Sequence, residues 1–333
     1  METLTIGVIG CGQITESVHL PVLKALRGSI RWILDPNESQ SAKVAKVFSS
    51  KSFPADIELS CLPDVQVVLI ACPYGVRQSY YGKLRTDVLE AAIYVEKPIA
   101  LTLKEHDAIG ALRNDWMIAA GYNRRASANV RLARQLVYDG IFGTPKTVDF
   151  QYGGIGVTTG GNYRANVVLA GGGPLFETGV HGIDSINYIL GAKSAEITDV
   201  KMEVDCEFDV HTEAGYIVKP DPSVASCSIP CSVLTTVLQQ TRNTLRISFD
   251  TCTLEFSLFG GGVSLRSNRS QKAVVISESK FASRETIASS CLFWKDFIDA
   301  VRSNEVNYTN HSTSRLTTAI VQEIYRRGKG LSS

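Results

Sequence analysis

The chain lacks any uninterrupted apolar run of about 18 residues, so nothing in it reads as a membrane-spanning helix. Its opening, METLTIGVIGCG, has neither the basic segment nor the cleavage site of a secretory leader, and a cytoplasmic location is expected. Blocks of like charge are missing too. With 34 Lys and Arg against 33 Asp and Glu the net charge is +1, so the broad basic face that nucleic acid needs is not there, and neither nucleic acid nor membrane is an expected partner. Paired cysteines are also lacking. Cys11, Cys61, Cys72, Cys206, Cys227, Cys231, Cys252 and Cys291 are scattered through apolar segments, as free thiols are in a reducing compartment. Only Cys227 and Cys231 lie close together, and CSIPC has no second Cys or His pair nearby, which leaves structural zinc without a ligand set. Internal repeats and low-complexity linkers are absent as well.

What is present is ample apolar material: 44% of the 333 residues are hydrophobic and 20% charged, the balance of a globular chain of about two domains. From residue 4 to about 120, short apolar runs (LTIGVIG, IRWILD, VQVVLIA, AIYVEKP, MIAAGY) alternate with helical periods at 13–26, 38–49, 76–91 and 103–114. That alternation predicts βαβ units and a doubly wound parallel sheet, an α/β Rossmann domain over 1–121. Beyond it come a helical period at 127–139, one helix around 176–190 and strand-like segments near 146–153, 197–204, 210–218, 224–238, 243–257 and 273–277. These predict an α+β domain over 122–333 built on a large, mostly antiparallel sheet. FGGG at 259–262 reads as a turn. Two amphipathic helices close the chain, the last expected to pack back on the first domain.

In GVIGCGQIT, Gly10 and Gly12 follow a strand and open a helix, where a dinucleotide fold carries G-x-G-x-x-G/A. The first glycine permits the tight turn and the second lets backbone N–H groups approach a pyrophosphate, with Gln13 and Ile14 at the helix N-terminus. Thr15 stands where a third small residue is usual, which is expected to loosen the helix on the strand. Asp35 ends the second strand, where a carboxylate can accept the ribose hydroxyls of NAD; no Arg stands beside it for a 2′-phosphate, so NAD is favoured over NADP. The bland alternative is a glycine turn without a ligand.

With GVIGCGQITESVHLPVL, DVQVVLIACPYGVR, VEKPIALT, GYNRR and GGGPLFETGVHGID in this order, the chain resembles the glucose-fructose oxidoreductase, inositol dehydrogenase and rhizopine catabolism (Gfo/Idh/MocA) family over nearly its whole length. The resemblance implies a Rossmann domain followed by an α+β domain whose open sheet supports homodimers or homotetramers. It also implies NAD(P)-dependent oxidation of a sugar or cyclitol hydroxyl, or reduction of the ketone. By the same resemblance Lys97 holds the substrate hydroxyl, the bond to Pro98 is cis, Glu96 fixes the turn, and Tyr122, Asn123, Tyr163 and Arg164 face the substrate. Cys72, Pro73 and Tyr74 are expected beside the nicotinamide ribose. After ACP, however, related enzymes carry Asn and then His three residues on, where this chain has Tyr74 and Arg77.

Hydride leaves a carbinol carbon readily only if the hydroxyl proton departs in the same step, so a base and an alkoxide-stabilising donor are required. Lys97 ends the AIYVE strand, at the edge where doubly wound sheets bind ligands; the plain alternative is a solvated lysine. Glu177 and His181 stand four apart, one helical face, after glycines that let a loop approach cofactor and sugar. Imidazole suits proton transfer near neutrality, so His181 is the acid/base, and Glu177 either bonds a neighbouring hydroxyl or orients the ring. The alternatives are a satisfied core histidine and a helix-start carboxylate. The resemblance puts Asp more often at the position of Glu177, so the substrate range is open. Asp184 reads as structural, Arg125 as a cleft residue or a salt-bridge partner, and His19 as a cap or packing residue. No metal is expected, since His19, His106, His211 and His311 offer His181 no third ligand at usable spacing. The reading is therefore an NAD(P)-dependent oxidoreductase of a sugar, cyclitol or sugar derivative, with an NAD-dependent glycosidase or a non-catalytic sugar or dinucleotide sensor of the same fold as rivals.

Overall fold

Valine- and isoleucine-rich runs of four to six residues, each followed by a helical period, fold as the alternation demands. The computed structural model describes residues 4–86, 90–114, 117–155, 166–270, 272–278, 285–306 and 308–330. Two units emerge: Met1–Tyr122 with Ser290–Ser314, and Asn123–Ser289 with Arg315–Ser333.

In the first unit, β1 (Thr5–Ile9), β2 (Ser29–Leu34), β3 (Lys51–Phe53), β4 (Val67–Ile70), β5 (Ala92–Val95) and β6 (Ile118–Ala120) form one sheet in the order β3-β2-β1-β4-β5-β6. Every neighbouring pair is parallel. All four residues of β4 and of β5 are buried, as strands covered on both faces must be. The helices between them are α1 (Leu20–Ala25), α2 (Glu38–Phe48), α3 (Tyr74–Thr86) and α4 (Leu103–Gly110). Asn37 caps α2, and Thr102 with Glu105 forms a capping box on α4. Winding reverses between β1 and β4, and the strand C-termini at that switch point are where such sheets hold ligands. Aromatic rings from far along the chain complete this core. Trp294 of α8 (Glu285–Ser303) stacks on Tyr94 at 4.5 Å, with Phe293 and Phe297 edge-on to the same ring.

The second unit has an eight-stranded sheet made of β7 (Thr147–Gly153), β8 (Ser194–Asp205), β9 (Phe208–Lys219), β10 (Ile229–Thr236), β11 (Leu245–Ser248), β12 (Cys252–Phe256), β13 (Val263–Ser267) and β14 (Ala273–Ser277). Their order is β14-β13-β12-β11-β7-β10-β9-β8, antiparallel except where β10 meets β7. Two details differ from the sequence expectation. The segment 243–257 is two strands, because Phe249 N–H closes a tight reversal on Cys252 O at 2.8 Å; and β13, polar on most positions, was not anticipated. Val148, Phe150, Val233, Leu245 and Ile247 are buried on the inner face, under α5 (Ala128–Tyr138) and α7 (Val180–Leu190). The helices α6 (Val167–Ala170) and α9 (His311–Gly328) complete the set. Among the described residues no helix is long and apolar enough to cross a membrane.

A buried ion pair holds this helical layer. Arg125, on the short turn before α5, reaches Asp184 of α7 with two parallel bonds, Nε to Oδ2 at 2.8 Å and Nη2 to Oδ1 at 2.6 Å. Thr317 of α9 donates to the same Oδ1 at 3.1 Å. Of the two readings left open for Arg125, the salt bridge is the one realised, and Asp184 is structural. Arg125→Met strands a buried carboxylate, so it should lower stability by about 3–5 kcal/mol, read as a lower urea midpoint for the second unit with its slope kept.

Candidate active site

The glycine turn after β1 owes its shape to crowding. Gly10 has φ +97°, and a Cβ there would lie 2.6 Å from the Cys72 nitrogen at the end of β4, so only glycine fits. Gly12 meets nothing within 4 Å, and with exposed Gln13 and Ile14 it leaves an open backbone cradle at a helix start, which suits a pyrophosphate. Thr15 does not loosen the turn. It is fully buried and its hydroxyl donates to Gly10 O at 2.7 Å, tying helix to turn. Asp35 is half-buried at the end of β2, where its carboxylate accepts Cys11 N–H at 2.6 Å and Asn37 N–H at 2.8 Å. The acid thus braces the glycine turn as well as facing its rim. Burial raises the thiols of Cys11 and Cys72 to about 12 and about 11, so both stay protonated and unreactive.

At the end of β5 stands Glu96, 7% exposed, followed by half-buried Lys97 and the cis bond to Pro98. Trp294 donates its indole N–H to His19 Nδ1 at 3.0 Å. Indole can only donate, so the imidazole proton sits on Nε2, which bonds Glu96 Oε1 at 2.8 Å. The other carboxylate oxygen accepts Lys97 N–H at 3.1 Å. Burial opposes the charge on Glu96, but the bond from His19 and the nearby Lys97 and Arg77 cations outweigh it and hold the carboxyl below its ordinary 4.5. His19 is therefore a structural partner of the Glu-Lys-Pro turn. Pro73, after β4, is half-buried, and the next residue, Tyr74, has its hydroxyl committed to Glu105 Oε2 at 2.5 Å.

In the second unit, the loop Gly171–Pro174 leads into a widened turn, Leu175–Gly179, in which Val180 N–H reaches back five residues to Leu175 O. α7 follows directly. Glu177, half-buried, and His181, 7% exposed, lie across that turn. The loop is pinned by a residue that sequence reasoning missed. Asp209 of β9, fully buried, accepts Gly173 N–H at 2.6 Å and Leu175 N–H at 2.8 Å, and takes a third bond from Tyr325 of α9 at 2.6 Å. Burial raises its carboxyl, against the pull of those bonds. A side chain on Gly173 would overlap the Asp209 backbone, which is why the stretch is glycine. The FGGG turn is also more than a turn. Phe259 sits edge-on to the His181 ring at 6.5 Å, under the Arg124 guanidinium at 4.6 Å, and beside Tyr152 at 4.9 Å.

Tyr122, in the first unit, and Asn123, in the second, are both buried, at 1% and 8% exposed. Tyr163 and Arg164 lie outside the described residues. Among the described residues no group of three or more His, Cys, Asp or Glu side chains is gathered as a metal would require.

A parallel sheet in the order 3-2-1-4-5-6, with a glycine cradle at its switch point, is the doubly wound Rossmann architecture. Residues 4–115 match the model of an oxidoreductase family with an NAD-binding Rossmann fold, and residues 130–254 match the GFO/IDH/MocA C-terminal domain. The chain belongs to the Gfo/Idh/MocA family of oxidoreductases. It is 24% identical over 315 residues to the inositol 2-dehydrogenase/D-chiro-inositol 3-dehydrogenase of Lacticaseibacillus casei, covering 90% of this chain and 85% of that one. It is 24% identical over 203 residues to the uncharacterized oxidoreductase YrbE of Bacillus subtilis, covering 59% of this chain and 56% of that one. A levoglucosan dehydrogenase solved with NADH and levoglucosan superposes with a TM-score of 0.81 at 17% identity, covering 99% of this chain and 98% of that one. A 3-ketoreductase from Actinomadura kijaniata, solved with NADP, gives 0.80 at 17% identity, covering 98% of each chain.

The Glu96 pairing has a pH signature. A carboxyl held below 4.5 when folded contributes stability that is complete above that pH and is lost as pH falls through the lowered value. Glu96→Gln should therefore cost about 1–3 kcal/mol at pH 7, and thermal melts should show the gap to the wild type closing as pH drops below 4.5.

Proposed function

We propose that the protein is an NAD(P)-dependent dehydrogenase or ketoreductase that moves a hydride between the nicotinamide and a CH–OH carbon of a sugar, cyclitol or sugar derivative. In this reading residues 1–121 carry the dinucleotide, and residues 122–333 carry the substrate and the homo-oligomer contacts of a cytoplasmic enzyme. The observation that carries the proposal is the Glu96-Lys97 turn, braced by His19 and Trp294 in the same unit as the open Gly10–Gly12 cradle.

Gly10, Gly12, Gln13 and Ile14 would hold the pyrophosphate, Asp35 the adenosine ribose, and Cys72, Pro73 and Tyr74 the nicotinamide side, next to Glu96 and Lys97. When bound, the cofactor supplies the hydride acceptor or donor; every other task falls to the chain. Lys97 binds the reacting hydroxyl and offsets the negative charge that develops on its oxygen. His181 takes the hydroxyl proton in the oxidative direction and returns it in the reductive one. Glu177 bonds a neighbouring hydroxyl, with Tyr122, Asn123, Tyr163 and Arg164 as further substrate contacts. The relatives support this substrate class: one is an inositol dehydrogenase, and one structural neighbour was solved with levoglucosan. NAD is preferred to NADP, because Pro36 and Asn37 follow Asp35 where a 2′-phosphate would need an arginine.

Lys97→Ala and His181→Ala should each lower turnover by more than about 100-fold while NAD binding changes little. The check is a panel of myo-inositol, D-glucose and 4-nitrophenyl glucoside with each cofactor, read by absorbance of the reduced nicotinamide. Unchanged turnover in both variants refutes the assignment, and nitrophenol release without net reduction would make the enzyme a glycosidase. Asp35→Ala should weaken NAD by at least about tenfold more than NADP, measured as the ratio of their KM values.

A further inference from the structure

Tyr74, Arg77 and Tyr81 recur at i, i+3 and i+7 and so share one face of α3. All three side chains bond to the stretch that runs from Glu96 to Glu105. Arg77 Nη1 donates to the carbonyls of both Glu96 and Pro98, the second at 2.7 Å, while its Nε donates to Cys72 O at 2.9 Å. Tyr81 donates to Ile99 O at 3.4 Å, and Tyr74 to Glu105 Oε2 at 2.5 Å. None is more than 9% exposed. The first two of these residues are the ones that depart from the resemblance noted in the sequence.

We propose that this face of α3 is a positioning device for Lys97, with Arg77 at its centre. The proposal rests on the reading of Lys97 as the group that binds the reacting hydroxyl. The backbone around Lys97 has few polar groups left to settle. Glu96 N–H bonds Ile70 O, Lys97 N–H bonds the Glu96 carboxylate, and Pro98 has no N–H. The carbonyls on either side of Lys97 are then taken by a single guanidinium nitrogen, while Nε anchors the same group to the end of β4. A planar fork can bind three carbonyls from two separate nitrogens in this way, whereas an ammonium offers its donors from one rotatable nitrogen and a neutral imidazole has a single donor. Backbone torsions on both flanks of Lys97 are thereby held. Tyr81 and Tyr74 extend the grip one residue past Pro98 and onto the cap of α4, so the whole turn rides on α3.

The test reads Lys97 directly. Lysines of the full chain are reductively dimethylated with 13C-formaldehyde, and the Lys97 resonance is assigned by its loss in Lys97→Arg. In Arg77→Met that resonance should move by more than its linewidth toward the position of exposed lysines, and NAD affinity should change by less than about threefold. Arg77→His should not restore it, and Tyr81→Phe should move it less, in the same direction. An unmoved Lys97 signal in folded Arg77→Met overturns the proposal. If that variant does not fold, an unmoved signal in both Arg77→His and Tyr81→Phe overturns it equally. A merely structural arginine would lower the melting temperature without touching this resonance. Failure of the functional reading is seen elsewhere, in Lys97→Ala with undiminished turnover, and leaves the spectroscopic outcome standing.

Discussion

A carboxylate at the C-terminal end of a buried strand is the constraint around which the first unit is arranged. Glu96 is 7% exposed, and an ionised group so placed costs several kcal/mol unless every oxygen is answered. One oxygen is answered by an imidazole and the other by the backbone of the next residue. The imidazole is itself answered by an indole 275 residues further along the chain. This explains why a helix from the far end of the sequence belongs to the Rossmann unit: Trp294 fixes the tautomer that lets His19 donate, besides filling space over Tyr94. Remove the indole and the ring is free to turn its acceptor nitrogen toward the carboxylate, which would set two lone pairs against each other.

The second unit solves a like problem with different parts. Asp209 is fully buried, and its partners are two backbone N–H groups of the glycine loop and one phenol. Because the bonded N–H groups are those at the start of the turn into α7, the carboxylate caps that segment from a distant strand, a service usually given by a local Ser or Asp. The loop can come so close only without a side chain at Gly173. Thus the glycines that the sequence displays openly, and the acid that it hides, are two halves of one contact.

That difference marks what a sequence can disclose. The parallel sheet was legible because β4 and β5 are unbroken apolar runs and because the glycine turn, Asp35 and the Glu-Lys-Pro motif come at fixed intervals along the chain. The arrangement of the second sheet was legible in type but not in detail. A reversal within 243–257 needs only a few residues, and the Thr- and Ser-rich run conceals it; β13 has few apolar residues to announce it. Asp209 was invisible for a clearer reason. The pairing of β8 with β9 slips between Glu203 and Val204, so the inward positions of β9 change parity along the strand, and Asp209 falls on an inward position that simple alternation from Ala214, Tyr216 and Val218 would assign outward. Thr15, His19 and Phe259 were seen in the sequence but given lesser tasks, because their partners are set by tertiary contact.

The two units share one further device. His19 ends, and His181 closely follows, a widened turn whose hydrogen bond spans five residues: Leu20 N–H to Thr15 O before α1, and Val180 N–H to Leu175 O before α7. Such turns are scarce in ordinary helices, because they hold the backbone in a less favourable arrangement, and they recur where a side chain must be aimed. In the first unit the widening ends on His19 and directs it at Glu96. In the second it separates the glycine loop from His181, so the helix can start hard against Asp209 and still present the imidazole beside Phe259. The buried acids act differently on the two irregular starts: Asp209 fixes the chain at Gly173 and Leu175, ahead of the turn into α7, whereas Glu96 bonds the His19 ring itself.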